Sequence, residues 1–184
     1  MTARKLLAAA LLAVISVPAA ASVQVIGSSS ARLCYEAADS ALTPSADDLG
    51  RCNTALRDEA LSRADMVATH VNRGILFMRR GLTERAIADF DMAIAMDPAQ
   101  AEAYLNKGAA LMRQENAGDA LPLFTASLER NTMRPELAHY GRAMANETLG
   151  NVREAYNDYR RAAELSPEWQ EPRVELQRFR VVRR

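Results

Sequence analysis

The sequence repeats itself at intervals of 34 residues. Asn72-Arg73-Gly74 returns as Asn106-Lys107-Gly108, Ala86 as Ala120 and Phe90 as Phe124. A fixed period of this length is the mark of stacked helix pairs, each too small to bury its apolar face without a neighbour. A third unit follows after one inserted residue near Met133–Pro135, with Ala155, Tyr159, Ala162 and Pro167 where the first has Ala86, Phe90, Ala93 and Pro98. The units are set at 67–100, 101–135 and 136–169. Aromatic residues make up only 5% of the chain, and alanine is abundant in the helical windows. Both favour an all-α fold over a sheet.

The residues at fixed places in the unit carry a resemblance. In the first unit Gly74, Phe77, Gly81, Ala86, Phe90, Ala93 and Pro98 resemble the tetratricopeptide repeat (TPR) pattern. The second keeps Tyr104, Gly108, Leu111, Ala120 and Phe124, with Ser127 and Thr132 where Ala and Pro are usual. The third has Ala143 for the glycine and Asn146 for the large apolar residue. Gly74, Gly108 and Ala143, with Ala86, Ala120 and Ala155 opposite, suit close approach at roughly 8–10 Å between helix axes. Phe90, Phe124 and Tyr159 then act as plugs between repeats. The implied architecture is an α-solenoid of about three helix-turn-helix repeats.

In that family the first helix of each pair lines an inner groove. The resemblance assigns to it Asn72, Ile75, Met78 and Arg79 from the first repeat. Leu105, Asn106, Ala109, Met112 and Arg113 come from the second, and Tyr140, Met144 and Glu147 from the third. Asn72 and Asn106 are the leading candidates, because a carboxamide both donates and accepts and so can grip an extended backbone. Arg79 and Arg113 are expected to receive a carboxylate, and Met78 and Met112 to form an adaptable apolar floor. Some family members hold chaperone C-termini with Lys, Asn and Arg from three adjacent units. Only Asn106 matches that clamp here; Val71, Ile75, Leu137 and Gly141 occupy the other places.

Residues 1–21 read as an export signal. Arg4 and Lys5 precede the apolar run Leu6–Val17, and Ala19 and Ala21 suit cleavage before Ser22. The run is well short of the roughly 20 residues that span a bilayer. The expected destination is a bacterial periplasm. Removing the signal leaves 21 basic against 23 acidic residues, which gives no global attraction to nucleic acid. Ser22–Ser30 reads as a flexible lead-in within a 22–66 segment that also holds a helical hairpin, Ala31–Ser40 and Ala46–Leu61. Export makes Cys34 and Cys52, the only cysteines, an expected disulfide clamping that hairpin. A redox-active pair would need a closer arrangement such as Cys-x-x-Cys.

Residues 170–184 continue a final capping helix that begins near Pro167. Trp169, Val174, Leu176, Phe179 and Val182 are expected to cover the last repeat. Arg173, Arg178, Arg180, Arg183 and Arg184 exceed Glu171 and Glu175. They read as a solvating cap or as a basic contact with membrane or cell wall.

Catalysis has little to work with. His70 and His139 stand at equivalent places, where the second repeat has Tyr104, and read as packing rings. Asp89, Asp91 and Asp97 are spread by helical spacing, and no phosphate loop, nucleophile elbow or metalloprotease helix occurs. No enzyme activity, cofactor or metal is expected. Two functions remain: a scaffold that binds a protein or peptide segment in its groove, and a structural envelope protein that self-associates or docks through its Arg-rich end.

Overall fold

The computed structural model describes residues 21–25, 29–40 and 42–179. Nine helices are present among them: α1 (Ser29–Asp39), α2 (Ala46–Asp58), α3 (Arg63–Arg79), α4 (Thr83–Met96), α5 (Ala101–Arg113), α6 (Ala117–Glu129), α7 (Pro135–Thr148), α8 (Val152–Leu165) and α9 (Glu171–Leu176). They form the expected solenoid of helix pairs, α3–α4, α5–α6 and α7–α8, with the α1–α2 hairpin packed on α3 and α9 on α8. First helices of successive pairs also touch, α3 with α5 and α5 with α7, and together make one wall.

Small residues set the spacing. A Cβ on Gly74 would lie 2.5 Å from the Phe90 ring, which is fully buried. Phe124 is held between two glycines: a Cβ on Gly108 would come within 2.9 Å of it and one on Gly141 within 2.5 Å. Phe124 therefore fixes both the pairing within its repeat and the stacking of the next.

Charged staples join the helices of the first and third pairs. The Asp89 carboxylate on α4 accepts from Arg73 at 2.7 and 2.8 Å and from His70 at 2.9 Å, both on α3. Asp158 on α8 repeats this with Arg142 at 2.8 Å and His139 at 2.7 Å. The histidines are thus hydrogen-bonded partners of buried carboxylates as well as packing rings. Burial alone would raise both carboxyls. The hydrogen bonds and positive charges of the Arg and His beside them outweigh it and hold both below the ordinary value. The second pair has Leu123 where the aspartate would be, and Lys107 reaches back to Asp91 of the preceding repeat.

The hairpin forms for local reasons. Ser45 and Asp48 make a capping box at the start of α2. A disulfide joins Cys34 on α1 to Cys52 on α2, both fully buried. The second helix ends at Asp58, earlier than Leu61, because Ser62 already caps α3 through the Asp65 N–H.

Thr83 is the first residue of α4, and no side chain caps that end. Helix α6 starts at Ala117, after the Asn116 cap, and carries Pro122 inside it. The inserted residue between the second and third repeats lies in a turn with Asn131 at φ 58°, where the buried Glu102 carboxylate accepts the Met133 N–H at 2.8 Å. The C-terminal cap is shorter than expected. Trp169, Leu176 and Phe179 pack on the Tyr140–Tyr159 cluster, but Val174 is exposed. Val182, Arg180, Arg183 and Arg184 lie outside the described residues, as does the signal over residues 1–20.

Candidate functional site

Ala21, the last residue of the expected signal, and Ser22–Val25 of the lead-in expected to be flexible lie as an extended segment on the wall formed by α3 and α5, while Ser29 and Ser30 already belong to α1. The Asn72 carboxamide holds it from both sides: the Val23 N–H donates to Asn72 Oδ1 at 2.9 Å, and Asn72 Nδ2 donates to the Val23 carbonyl at 2.7 Å. Asn106 Nδ2 donates to the Ala21 carbonyl at 3.1 Å and to the Glu102 carbonyl of its own helix at 2.9 Å. Asn72 is 0% and Asn106 2% exposed. Buried amides need such partners, and here the partner is backbone, whatever the side chains of the strand.

Side chains along the strand alternate as an extended chain requires. Ala21 is buried in the cluster of Leu105, Phe124 and Leu137, and Val25 in that of Ala31, Ala55 and Ala68. Val23 packs against the latter and against the Val71–Ile75 core. Gln24 faces solvent, while Ser22 is half-buried and donates to Asp39 of α1 at 2.7 Å. The strand runs against the order of the repeats, from α5 at Ala21 to α3 at Val23 and the hairpin at Val25.

The other expected groove residues divide. Leu105 belongs to the apolar site around Ala21, and Met112 packs against the same cluster. Ile75 is fully buried in the first core, with Met78 against it, beneath the wall's surface. The two arginines are spent on helix ends. Arg79 donates to the Ala37 and Ser40 carbonyls at the end of α1, and Arg113 to the Met78 carbonyl near the end of α3. Free carbonyls at a helix C-terminus are natural acceptors for such side chains. Burial lowers the Arg79 pKa, with the Asp39 charge opposing it.

In the third repeat, Tyr140 is buried between Tyr159, ring centroids 5.4 Å apart, and Trp169, 4.7 Å apart. Burial, with the nearby Glu175 and Glu171 charges, leaves its hydroxyl pushed up to about 12. Glu147 accepts from the Tyr159 hydroxyl at 2.9 Å and from Arg178 at 3.0 Å, so it anchors the C-terminal cap. Ala109 and Met144 are half-buried.

Sequence reasoning chose the two asparagines and overlooked what they hold. The signal was there: Ala21, Val23 and Val25 alternate with Ser22 and Gln24, the period of a strand with one buried face. Among the described residues no group of His, Cys, Asp and Glu could hold a metal ion, and no helix is long and apolar enough to cross a membrane.

A tetratricopeptide repeat model matches residues 71–127 and 105–168, together more than half of the 184-residue chain. The chain belongs to the tetratricopeptide repeat family. Among curated proteins it is similar to serine/threonine-protein phosphatase 5 of Homo sapiens, 30% identical over 120 residues, and of Rattus norvegicus, 29% over 131 residues. The matches take in 65% and 68% of this chain but only 23% and 26% of those proteins, so the likeness spans about a quarter of their length. Among solved structures, this TPR chain is similar to the first TPR domain of the human RPAP3 protein, with a TM-score of 0.57, 24% identity and coverage of 61% of this chain and 87% of that one. It is also similar to MamA from Desulfovibrio magneticus RS-1, with a TM-score of 0.61, 22% identity and coverage of 71% of each chain. These two likenesses are of fold.

Proposed function

We propose that this TPR protein is a non-catalytic interaction module whose groove holds an extended segment of a partner protein. The observation that carries the reading is the Asn72 carboxamide closing on both the N–H and the carbonyl of Val23. Such a grip is indifferent to side-chain identity and needs only extended backbone. A structural neighbour of the same fold, the first TPR of Spaghetti (RPAP3), is described as bound to an HSP90 peptide, at 23% identity and a TM-score of 0.58. That supports a peptide ligand for this fold. A chaperone carboxylate is a poor match here, because Val71, Ile75, Leu137 and Gly141 replace its clamp and Arg79 and Arg113 serve helix ends.

The export signal read from residues 1–21 sets the site of action in the bacterial periplasm, as an adaptor in assembly or regulation of the envelope. The alternative of self-association, or docking on membrane or cell wall through the arginine-rich end, is the weaker reading. Of its arginines among the described residues, Arg178 is already paired with Glu147 and Glu175.

The test is photo-crosslinking from position 112 at the groove, in envelope extracts, with the wild type and an Asn72→Ala/Asn106→Ala variant. The reading expects a crosslinked segment that is lost or strongly reduced in the variant. The same products at the same yield from both chains would remove the groove from the account.

A further inference from the structure

We propose that residues 21–25, of which cleavage before Ser22 would leave Ser22–Val25 on the chain, are a tethered stand-in for the groove's ligand. The ligand is an extended segment with the same alternation, a small residue followed by branched aliphatics two and four places on, and it binds by displacing them. This rests on the peptide-groove reading above and adds to it the ligand's pattern, its direction and the competitor it must overcome.

Three features carry the inference. The strand stands outside the repeat, while each helix of the solenoid is packed on its neighbours through contacts of its own. At the strand's centre the backbone makes two hydrogen bonds to a fully buried asparagine, beside the packing of the Val23 side chain. An apolar residue at position 72 would serve a permanently filled core better than an amide that must find partners there. Lastly, the residues seated along the strand differ in size: Ala21 lies among Leu105, Phe124 and Leu137, and the valines lie nearer the hairpin. Ser22 and Gln24 leave the intervening positions less constrained. The ligand therefore lies with its N-terminal end toward α5 and its C-terminal end toward the disulfide hairpin.

Only three residues separate Val25 from the start of α1. A segment on so short a tether faces its site at an effective concentration in the millimolar range. A free ligand competes with it, and its apparent affinity falls by the fraction of time the groove is vacant.

The experiment is fluorescence anisotropy with a labelled Ala-Ser-Val-Gln-Val-amide peptide. It compares the full-length chain with a Val23→Lys/Val25→Lys variant, in which the strand no longer fits its apolar sites. Trp169 emission and helical circular dichroism check that the solenoid is intact. The variant is expected to bind the peptide at least about tenfold tighter than the wild type. Adding Asn72→Ala to the variant, or replacing the peptide's valines with lysine, is expected to reverse that gain.

Equal affinity in wild type and variant would overturn the stand-in and leave the peptide groove standing. No binding to either chain would overturn both. If the variant does not fold, the wild type still decides: saturating peptide must speed hydrogen exchange at the Val23 amide, and an unchanged rate with peptide bound overturns the inference. Light scattering that shows a dimer dissociated by the peptide would assign the strand to a second copy and overturn the same-chain arrangement.

Discussion

Glu115 occupies the turn between α5 and α6 at φ 59°, where the matching turns of the first and third repeats have Gly81 at φ 74° and Gly150 at φ 80°. A side chain is strained in that region of backbone space and glycine is not. Glu115→Gly is therefore expected to raise stability by about 0.5–1 kcal/mol, and Gly81→Ala to lower it by about 1 kcal/mol. Urea unfolding of the two variants reads both.

Asp89 and Asp158 give a second prediction at this scale. Their carboxyls lie below the ordinary 3.8 in the folded chain, despite burial, because Arg and His partners hold the charged form. A depressed folded-state pKa adds stability above the unfolded value. That stability is lost as pH falls through about 4 and below. The urea midpoint should drop between about pH 5 and pH 3. An Asp89→Asn/Asp158→Asn chain should be less stable at pH 7, by about 2 kcal/mol for each site, and should drop less steeply over the same window. Equal slopes for the two chains would count against this account of the staples.

Elements were legible in the sequence wherever the repeat spoke. Gly74, Phe90, Gly108 and Phe124 recur at one spacing because one contact is made again and again, so a single comparison of units reveals the pairing of helices. The hairpin was legible for a different reason: its two cysteines, the only ones in the chain, mark it without any repeat. What does not recur in every unit is harder to read. The Asp89 and Asp158 staples join helices across 16 and 19 residues, and the second repeat breaks their pattern with Leu123. The arginines were assigned to a ligand because their spacing matched the repeat, yet the same spacing equally delivers a guanidinium to the end of a preceding helix. The strand at 21–25 meets Asn72 49 residues on and Asn106 85 residues on, a pairing no local pattern specifies.

The disulfide acts at the scale of that hairpin. It joins residues 18 apart, and closing a loop of this size is worth about 3 kcal/mol in the chain-entropy description. A Cys34→Ser/Cys52→Ser chain should lose about that much. The loss should appear as faster hydrogen exchange in α1 and α2, with α5–α8 little changed, because stability in such arrays passes between nearest neighbours. Uniformly faster exchange over all helices would show that the hairpin is not a separate cap.

For the whole molecule, the helices supply a wall and the wall supplies two amides in register with an extended chain. The alternation of Ala21, Val23 and Val25 fits apolar sites that belong to different repeats and to the hairpin, so the strand spans units that otherwise meet only through their helices. Function on this account comes from what the stacked pairs hold, and the grip of Asn72 on backbone is its centre. Hydrogen exchange at the Val23 amide, followed by NMR in the wild type and in Asn72→Ala, measures that grip directly. The account predicts a Val23 amide protected at least about tenfold over the free-chain rate in the wild type, with protection lost in Asn72→Ala while the amides of α3 keep theirs. A Val23 amide that exchanges at the free-chain rate in the wild type would contradict it.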